Sequence, residues 1–342
     1  MTKPLRWGIL ATGKIAGVFA RGVAGSRTGR LVAVGSRSTD FARRFAGEHG
    51  IAPERAHGSY EALLADPEVD AVYISTPHPQ HEEWAVKAAA AGKHILCEKP
   101  LTLDLAAAHR VIEAARARGV LLMEAFMYRC HPQTARAIEL IRTGALGKVG
   151  LVQAAFSFNA PFDPQGRIWG NALGGGGILD VGGYPVSWAR LAAGAVEGKP
   201  FLDPVAVAGV GVLHPQTGVD VYAAATLAFA NGVIAQVSCG VGLTQENVVR
   251  IYGTEGWLLV PSPYVVTRDL APAKLLLHRA GATTPDEIIV TPDRSVYAYE
   301  ADAFAEALAA GRRDVPAMST ADTLGNMAVL DAWLRQVGVV YA

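Results

Sequence analysis

Five short apolar runs punctuate the first third of the chain: LRWGIL (5–10), RLVAVGS (30–36), VDAVYIST (69–76), KHILCE (93–98) and GVLLME (119–124). Amphipathic stretches lie between them, clearest at 79–91 and 102–117, where apolar residues return every three or four positions. Thr102 followed by Asp104 and Leu105 reads as a helix start. Mostly apolar strands alternating with helices predict a parallel sheet covered on both faces. Residues 1–124 are therefore expected to form a doubly wound, Rossmann-type unit that binds a dinucleotide.

Beyond about residue 125 the pattern changes. A helix (131–143), a strand (148–158), a glycine-rich loop and a helix from about 177 are followed by several strands between 204 and 260 with no helix between them. Two more helices fall near 297–311 and 319–337. This predicts a second, α+β unit over 125–342 with a large, mostly antiparallel open sheet. Asp220 is the only formally charged residue from Pro204 to Gln245, so the segment imitates a membrane helix. However, Asn231-Gly232 at its centre is a hairpin signal, and Gln236 and Ser238 fall at strand period; two antiparallel strands are expected. A sheet with one wet face should alternate apolar with strongly polar positions, and here both sets are bland. The expectation is that helices cover one face and another subunit the other, in a homodimer or homotetramer. A merely loose, glycine-rich sheet is the alternative.

The bulk numbers narrow the function. At 342 residues two domains are the default, and 51% hydrophobic with 18% charged residues is ordinary globular composition. Lys plus Arg equals Asp plus Glu at 31 each, so no bulk charge argues for nucleic acid or an anionic membrane. Three scattered cysteines, Cys97, Cys130 and Cys239, look like reduced thiols of a cytoplasmic protein. The N-terminal MTKPLRWGIL runs straight into a strand and leaves no room for a secretory signal.

The first turn, WGILATGKIAG (7–17), fits two nucleotide motifs. Gly8, Gly13 and Lys14 suit a triphosphate-binding loop, but that loop needs Ser or Thr after its lysine to ligate magnesium, and Ile15 cannot. Ala11, Gly13 and Ala16 suit a worn dinucleotide turn, with Ala11, Thr12, Gly13, Lys14 and Ile15 around the pyrophosphate. The next strand ends in Gly35, Ser36 and Arg37, where an NAD-binding fold places an acid for the ribose hydroxyls. A hydroxyl and a guanidinium would instead hold a 2′-phosphate, which favours NADP(H) over NAD(H). The alternative is a solvated Arg37, with Asp40 as a displaced acid serving NAD.

Two stretches make the proposal specific: 75–104, which contains Glu98-Lys99-Pro100, and 172–189, which runs from Gly174-Gly175-Gly176 through Asp180 to Tyr184. With EAFMYRCHPQ (124–133), these resemble the family of glucose–fructose oxidoreductase and inositol dehydrogenase from end to end, through its E-K-P and G-G-G-x-x-x-D-x-x-x-[HY] signatures. Tyr at 184 in place of His resembles the branch of dimeric dihydrodiol dehydrogenase and NADP-dependent xylose dehydrogenase. The resemblance implies hydride transfer between a nicotinamide cofactor and a hydroxyl or carbonyl of a sugar or sugar-like polyol. Trans-dihydrodiols and nucleotide-linked 3-keto sugars are alternative substrates. It also implies that Thr76, Pro77 and His78 line the cofactor, with His81 and Glu98 beside them; His78 departs from the Asn commonest there. A cofactor-binding regulator, the rival of another class, need not keep Lys99 and Tyr184.

The residues make chemical sense on their own. Asp180 and Tyr184 are i and i+4 and share a helix face, and Lys99 follows a strand at the carboxyl edge of the sheet. An ammonium beside the phenol is expected to lower its pKa and let Tyr184 exchange the substrate's proton. Lys99 would stabilise the developing alkoxide, and Asp180 would bind a neighbouring hydroxyl or orient Lys99. Arg129, Phe162, Arg167 and Trp169 are further candidates for substrate contact, with pocket walls from loops 159–172 and 240–246. His78 and His81 are spaced H-x-x-H with His94 nearby, but hydride transfer needs no metal, and none is expected.

Overall fold

The computed structural model describes residues 3–266 and 270–342. Its first sheet contains β1 (Leu5–Leu10), β2 (Gly29–Gly35), β3 (Ala56–His57), β4 (Ala71–Ile74), β5 (His94–Glu98) and β6 (Leu122–Ala125). All are parallel, in the order β3-β2-β1-β4-β5-β6. Helices α1 (Lys14–Val23), α2 (Thr39–His49), α3 (Tyr60–Ala65), α4 (His81–Ala90) and α5 (Leu105–Ala117) connect the strands. Trp7, Ile9 and Leu10 are fully buried, as strands covered on both faces require. Asp104 caps α5 by accepting from the Ala107 N–H. The strand order reverses between β1 and β4, which opens a crevice at their carboxyl ends. The two-residue β3 was not expected, because it is too short to carry a periodicity.

The remaining elements are α6 (Pro132–Arg142), β7 (Val149–Ser157), α7 (Gly183–Val196), β8 (Pro204–Leu213), β9 (Asp220–Phe229), β10 (Ile234–Gly240), β11 (Val249–Gly253), β12 (Gly256–Val260), β13 (Ala273–Arg279), β14 (Asp286–Val290), α8 (Val296–Ala309) and α9 (Thr320–Val337). Their strands form one sheet in the order β14-β13-β12-β11-β7-β10-β9-β8, with β7 and β10 its parallel pair. β9 and β10 are the expected antiparallel hairpin, turning at Asn231-Gly232 with Gly232 at φ +84. Among the described residues no helix is long and apolar enough to cross a membrane. Strands β13 and β14 lie outside the expected 204–260 window. β14 is the edge strand and β13 its neighbour, and their charged residues, such as Lys274 and Glu287 across the pair, hide the apolar alternation.

Helices α7 and α9 cover one face of this sheet, where Gln336 of α9 reaches the Val207 carbonyl at 2.9 Å. The other face is left open, and Val205 and Val210 on β8 are 70% and 72% exposed. Helix α8 returns to the first sheet: the Phe304 ring lies 5.2 Å from that of Trp7. Residues far beyond 124 therefore complete the first core.

A buried ion cluster ties α7 and α9 to the turn before α6. Arg129, expected on the cleft, instead donates to Asp322 (2.6 Å), to Ser187 (3.0 Å) and to the Ala317 carbonyl (3.1 Å). Arg190 donates to Asp322 from the opposite side. The buried carboxylate on α9 draws Arg129 away from the cleft, because an unpaired guanidinium there would be costly. Asp322→Ala should strand the buried Arg129, while Arg190 keeps its second partner Asp203, and destabilise the fold by about 3–5 kcal/mol. The measurement is a urea melt, with a lowered midpoint and an unchanged slope.

Candidate active site

A cleft of about 1070 Å³ opens at the carboxyl ends of β1, β2, β4 and β5 and is closed on its far side by the start of α7. Gly13 caps α1 in an extended conformation with no side chain satisfying the helix N-terminus. A Cβ on Gly13 would meet no protein atom within 4 Å, so packing does not demand the glycine. It keeps the unpaired N–H groups of the first turn open to an approaching anion. Ala11 adopts φ +87, the left-handed region that a glycine would occupy in an unworn motif. Ser36 is buried at the end of β2, 3.5 Å from Thr12 Oγ1, and Arg37 stands exposed on the same rim. The Thr76 hydroxyl is buried and lacks a protein partner. An open helix N-terminus, a basic rim and an unsatisfied hydroxyl at a strand-order reversal fit a dinucleotide cofactor. Phe41 and Arg44 also line the rim, with the Arg44 guanidinium 5.0 Å above the Phe41 ring. Sequence reasoning missed both, although they follow Arg37 at helical spacing, i+4 and i+7.

The chemical groups meet at the centre of the cleft. The Lys99–Pro100 bond is cis. Lys99 Nζ donates to the Asp180 carbonyl at 2.6 Å and reaches its carboxylate at 3.4 Å. Arg167 donates to the same carboxylate at 2.8 Å. Asp180 sits on a π-helical turn, Ile178–Gly182, that leads directly into α7 and Tyr184. Burial alone would raise the Asp180 pKa, but the charges of Lys99 and Arg167 outweigh it and hold the carboxyl well below its usual range.

Tyr184 lines the same cleft, and Lys99 Nζ lies 5.2 Å from its ring centroid. The expected lowering of the phenol's pKa does not appear. Burial, followed by the nearby Glu98, pushes it well above the usual tyrosine value. The ammonium is committed to Asp180, while the phenol hydroxyl points to Met127 Sδ at 3.7 Å. Tyr184 is thus held as a protonated phenol.

The other candidates divide between cleft and scaffold. His78 lines the cleft, with Nδ1 3.1 Å from the Gly174 carbonyl and Nε2 3.5 Å from Arg167. Burial pushes its pKa to about 3, so the neutral ring latches the turn after β4 to the glycine run. His81 is fully buried, with its nitrogens against the carbonyls of Pro100 (2.8 Å) and Thr76 (2.9 Å). It ties those two loops together and is itself among the residues lining the cleft. Glu98 accepts from the buried Tyr73 hydroxyl and lines the cleft. Among the described residues no group of three or more His, Cys, Asp or Glu is placed to hold a metal.

Phe162 and Trp169 do not line the cleft. They pack on each other and on His214, and the Trp169 indole donates to the Pro161 carbonyl at 2.9 Å. An apolar cluster with Val219 and Val241 holds Trp169 there. Loop 240–246 likewise contributes nothing to this cleft; its Gln245 and Glu246 border a groove on the sheet's open face. The walls come from Met127, Phe156, Val265 and Tyr297. Met127 lies two residues from Arg129, inside the EAFMYRCHPQ stretch, but nothing local marks Val265 or Tyr297.

Comparison with known proteins agrees with this geometry. Residues 5–126 match the family model described as an oxidoreductase family with an NAD-binding Rossmann fold, and residues 134–259 match the GFO/IDH/MocA C-terminal domain. The chain is 34% identical to a trans-1,2-dihydrobenzene-1,2-diol dehydrogenase of Danio rerio over 344 residues, 99% of this chain and 98% of that one. Among solved structures, a 3-ketoreductase from Actinomadura kijaniata in complex with NADP and TDP-benzene superposes with a TM-score of 0.86 at 29% identity, covering 98% of both chains. An aldose-aldose oxidoreductase from Caulobacter crescentus gives a TM-score of 0.86 at 27% identity, covering 98% of this chain and 97% of that one. The chain belongs to the GFO/IDH/MocA family and is an NAD(P)-dependent oxidoreductase.

Proposed function

We propose that this protein interconverts a hydroxyl and a carbonyl on a sugar or sugar-like polyol with NADP(H). The carrying observation is the convergence of Lys99, Asp180, Arg167 and Tyr184 on one cleft beside an open helix N-terminus. The bound nicotinamide supplies or accepts the hydride. Tyr184, protonated and only loosely bonded to Met127, donates its proton to the substrate oxygen during reduction and recovers it during oxidation. Lys99 faces the same oxygen and stabilises the charge that develops there. Asp180 holds Lys99 in place through two contacts, and Arg167 keeps that carboxylate ionised.

The NADP preference rests on Ser36 and Arg37 at the end of β2, with Arg44 beside them on the rim and Asp40 as the only nearby acid in that stretch. The 3-ketoreductase with NADP supports the same choice. A trans-dihydrodiol is the second substrate reading. It is favoured by the dehydrogenase relatives and by an apolar wall in which Phe156 stacks on Tyr264 at 4.7 Å. We assign 1–124 to dinucleotide binding and 125–342 to substrate binding and assembly. The charge-poor open face of the second sheet supports a homo-oligomer formed through it. Three unpaired cysteines support a cytoplasmic location.

The test is purified protein with NADPH or NADP and a panel of aldoses, ketoses, dihydrodiols and keto sugars, following the reduced cofactor's absorbance. No change with any of them, while cofactor still binds, would favour a regulator instead. Lys99→Met should abolish turnover yet largely spare NADPH affinity, and Tyr184→Phe should slow it roughly 10²–10⁴-fold. Single-turnover rates beside equilibrium cofactor binding separate the two effects. Arg37→Ala should weaken NADP binding much more than NAD binding in a titration; equal weakening would refute the 2′-phosphate assignment.

A further inference from the structure

The turn that carries Asp180 is gripped from behind by two groups that the proposed reaction does not use. Asp220, the first residue of β9, is fully buried. Its Oδ2 accepts the Ile178 N–H at 2.7 Å, and the Gly177 N–H also bonds to this carboxyl group. A Cβ on Gly176, at φ +102, would lie 2.3 Å from Asp220 Oδ1, so the carboxylate fills the room that this glycine leaves. Tyr341 holds the turn elsewhere, donating its hydroxyl to the Gly175 carbonyl at 2.8 Å. The irregular segment after α9 that holds Tyr341 is itself fixed, because Asn171 donates to the Val340 carbonyl at 2.9 Å and accepts the Ala342 N–H at 2.8 Å. Asp220 is also the lone formal charge from 204 to 245. Burying a carboxylate is expensive unless donors are aimed at it, and here the donors are the first N–H groups of the catalytic turn.

We propose that Asp220 and Tyr341 are positioning residues that clasp the Gly174–Gly177 turn and thereby set the reach of Asp180 toward Lys99 and of Tyr184 into the cleft. The proposal rests on the oxidoreductase reading above. Neither residue lines the cleft, and the cofactor cradle stands on other elements, β1, β2, β4 and β5. Loosening the clasp therefore disturbs the chemical step and leaves cofactor binding in place.

The test compares Asp220→Ala, Asp220→Asn and Tyr341→Phe for kcat, NADPH affinity and amide hydrogen exchange across residues 175–184. Asp220→Ala should lower kcat by about 10- to 100-fold, the scale of a misplacement near 1 Å, with NADPH affinity essentially kept. Asp220→Asn, which retains an acceptor oxygen, should recover most of the loss. Tyr341→Phe should cost up to about 10-fold. Both Asp220→Ala and Tyr341→Phe should accelerate exchange in the turn. Unchanged kcat and exchange in these two variants would overturn the proposal, as would a kcat loss that tracks lost NADPH affinity. Should Asp220→Ala fail to fold, Tyr341→Phe on the half-buried tyrosine decides by the same criteria. Absence of turnover by the unmodified protein would count against the oxidoreductase reading instead, and the exchange measurement, which needs no substrate, would still decide the clasp.

Discussion

The contact between Lys99 and Asp180 joins the two halves of the molecule at the point where chemistry is possible. Lys99 stands just past β5 of the parallel sheet, while Asp180 stands on the π-turn that rests against the second sheet. The ammonium bonds both to the Asp180 carbonyl and to its carboxylate, and Arg167 bonds to the carboxylate as well. The formal charges of these three residues alone leave one positive charge in surplus, facing a cleft partly shielded from water that Glu98 also lines. A surplus cation so placed stabilises an oxygen that acquires negative charge more strongly than it would in bulk water. Asp180 therefore orients Lys99 while Arg167 shares its carboxylate.

Tyr184 shows why proximity to a cation does not by itself set a pKa. Lys99 sits over the ring rather than beside the hydroxyl, and Asp180 already takes its charge. Burial and the acidic Glu98 then dominate, and the phenol stays protonated. A thioether is a weak acceptor, so the contact with Met127 Sδ at 3.7 Å leaves the hydroxyl able to turn toward a stronger one. A protonated, weakly engaged phenol is suited to donate to a carbonyl oxygen.

Most of the architecture could be read from the chain because its periodicities are local. Five parallel strands, the Asn231-Gly232 hairpin and the closing helices all follow from spacing and turn chemistry. Lys99, Asp180, Tyr184, His78 and Arg167 do reach the cleft, where their motifs pointed. Failures arose where a long-range partner decides the outcome. Arg129 is captured by Asp322, 193 residues away, and Trp169 is held by Val219 and Val241. His81 does line the cleft, with its nitrogens held by two backbone carbonyls. Spacing shows which residues can share a face but not which buried group will claim them.

The two aspartates that meet at the Asp180 turn, one on it and one on β9 behind it, show the same limit in electrostatic form. Asp180 and Asp220 are both buried carboxylates, and neither has a local sequence feature that predicts its ionisation. Asp180 faces Lys99 and Arg167, and those cations hold its pKa down despite burial. Asp220 faces backbone N–H groups and the negative charge of Asp180, so burial prevails and its pKa rises to about 7. Partial dipoles offset desolvation less completely than full charges do. The turn thus keeps its own firmly ionised acid on the cleft side, where cations are at hand, and meets the reluctant acid of β9 on the sheet side, where backbone N–H groups receive it. A glycine run is what makes this possible, since a side chain at 176 would occupy the place of the second carboxylate.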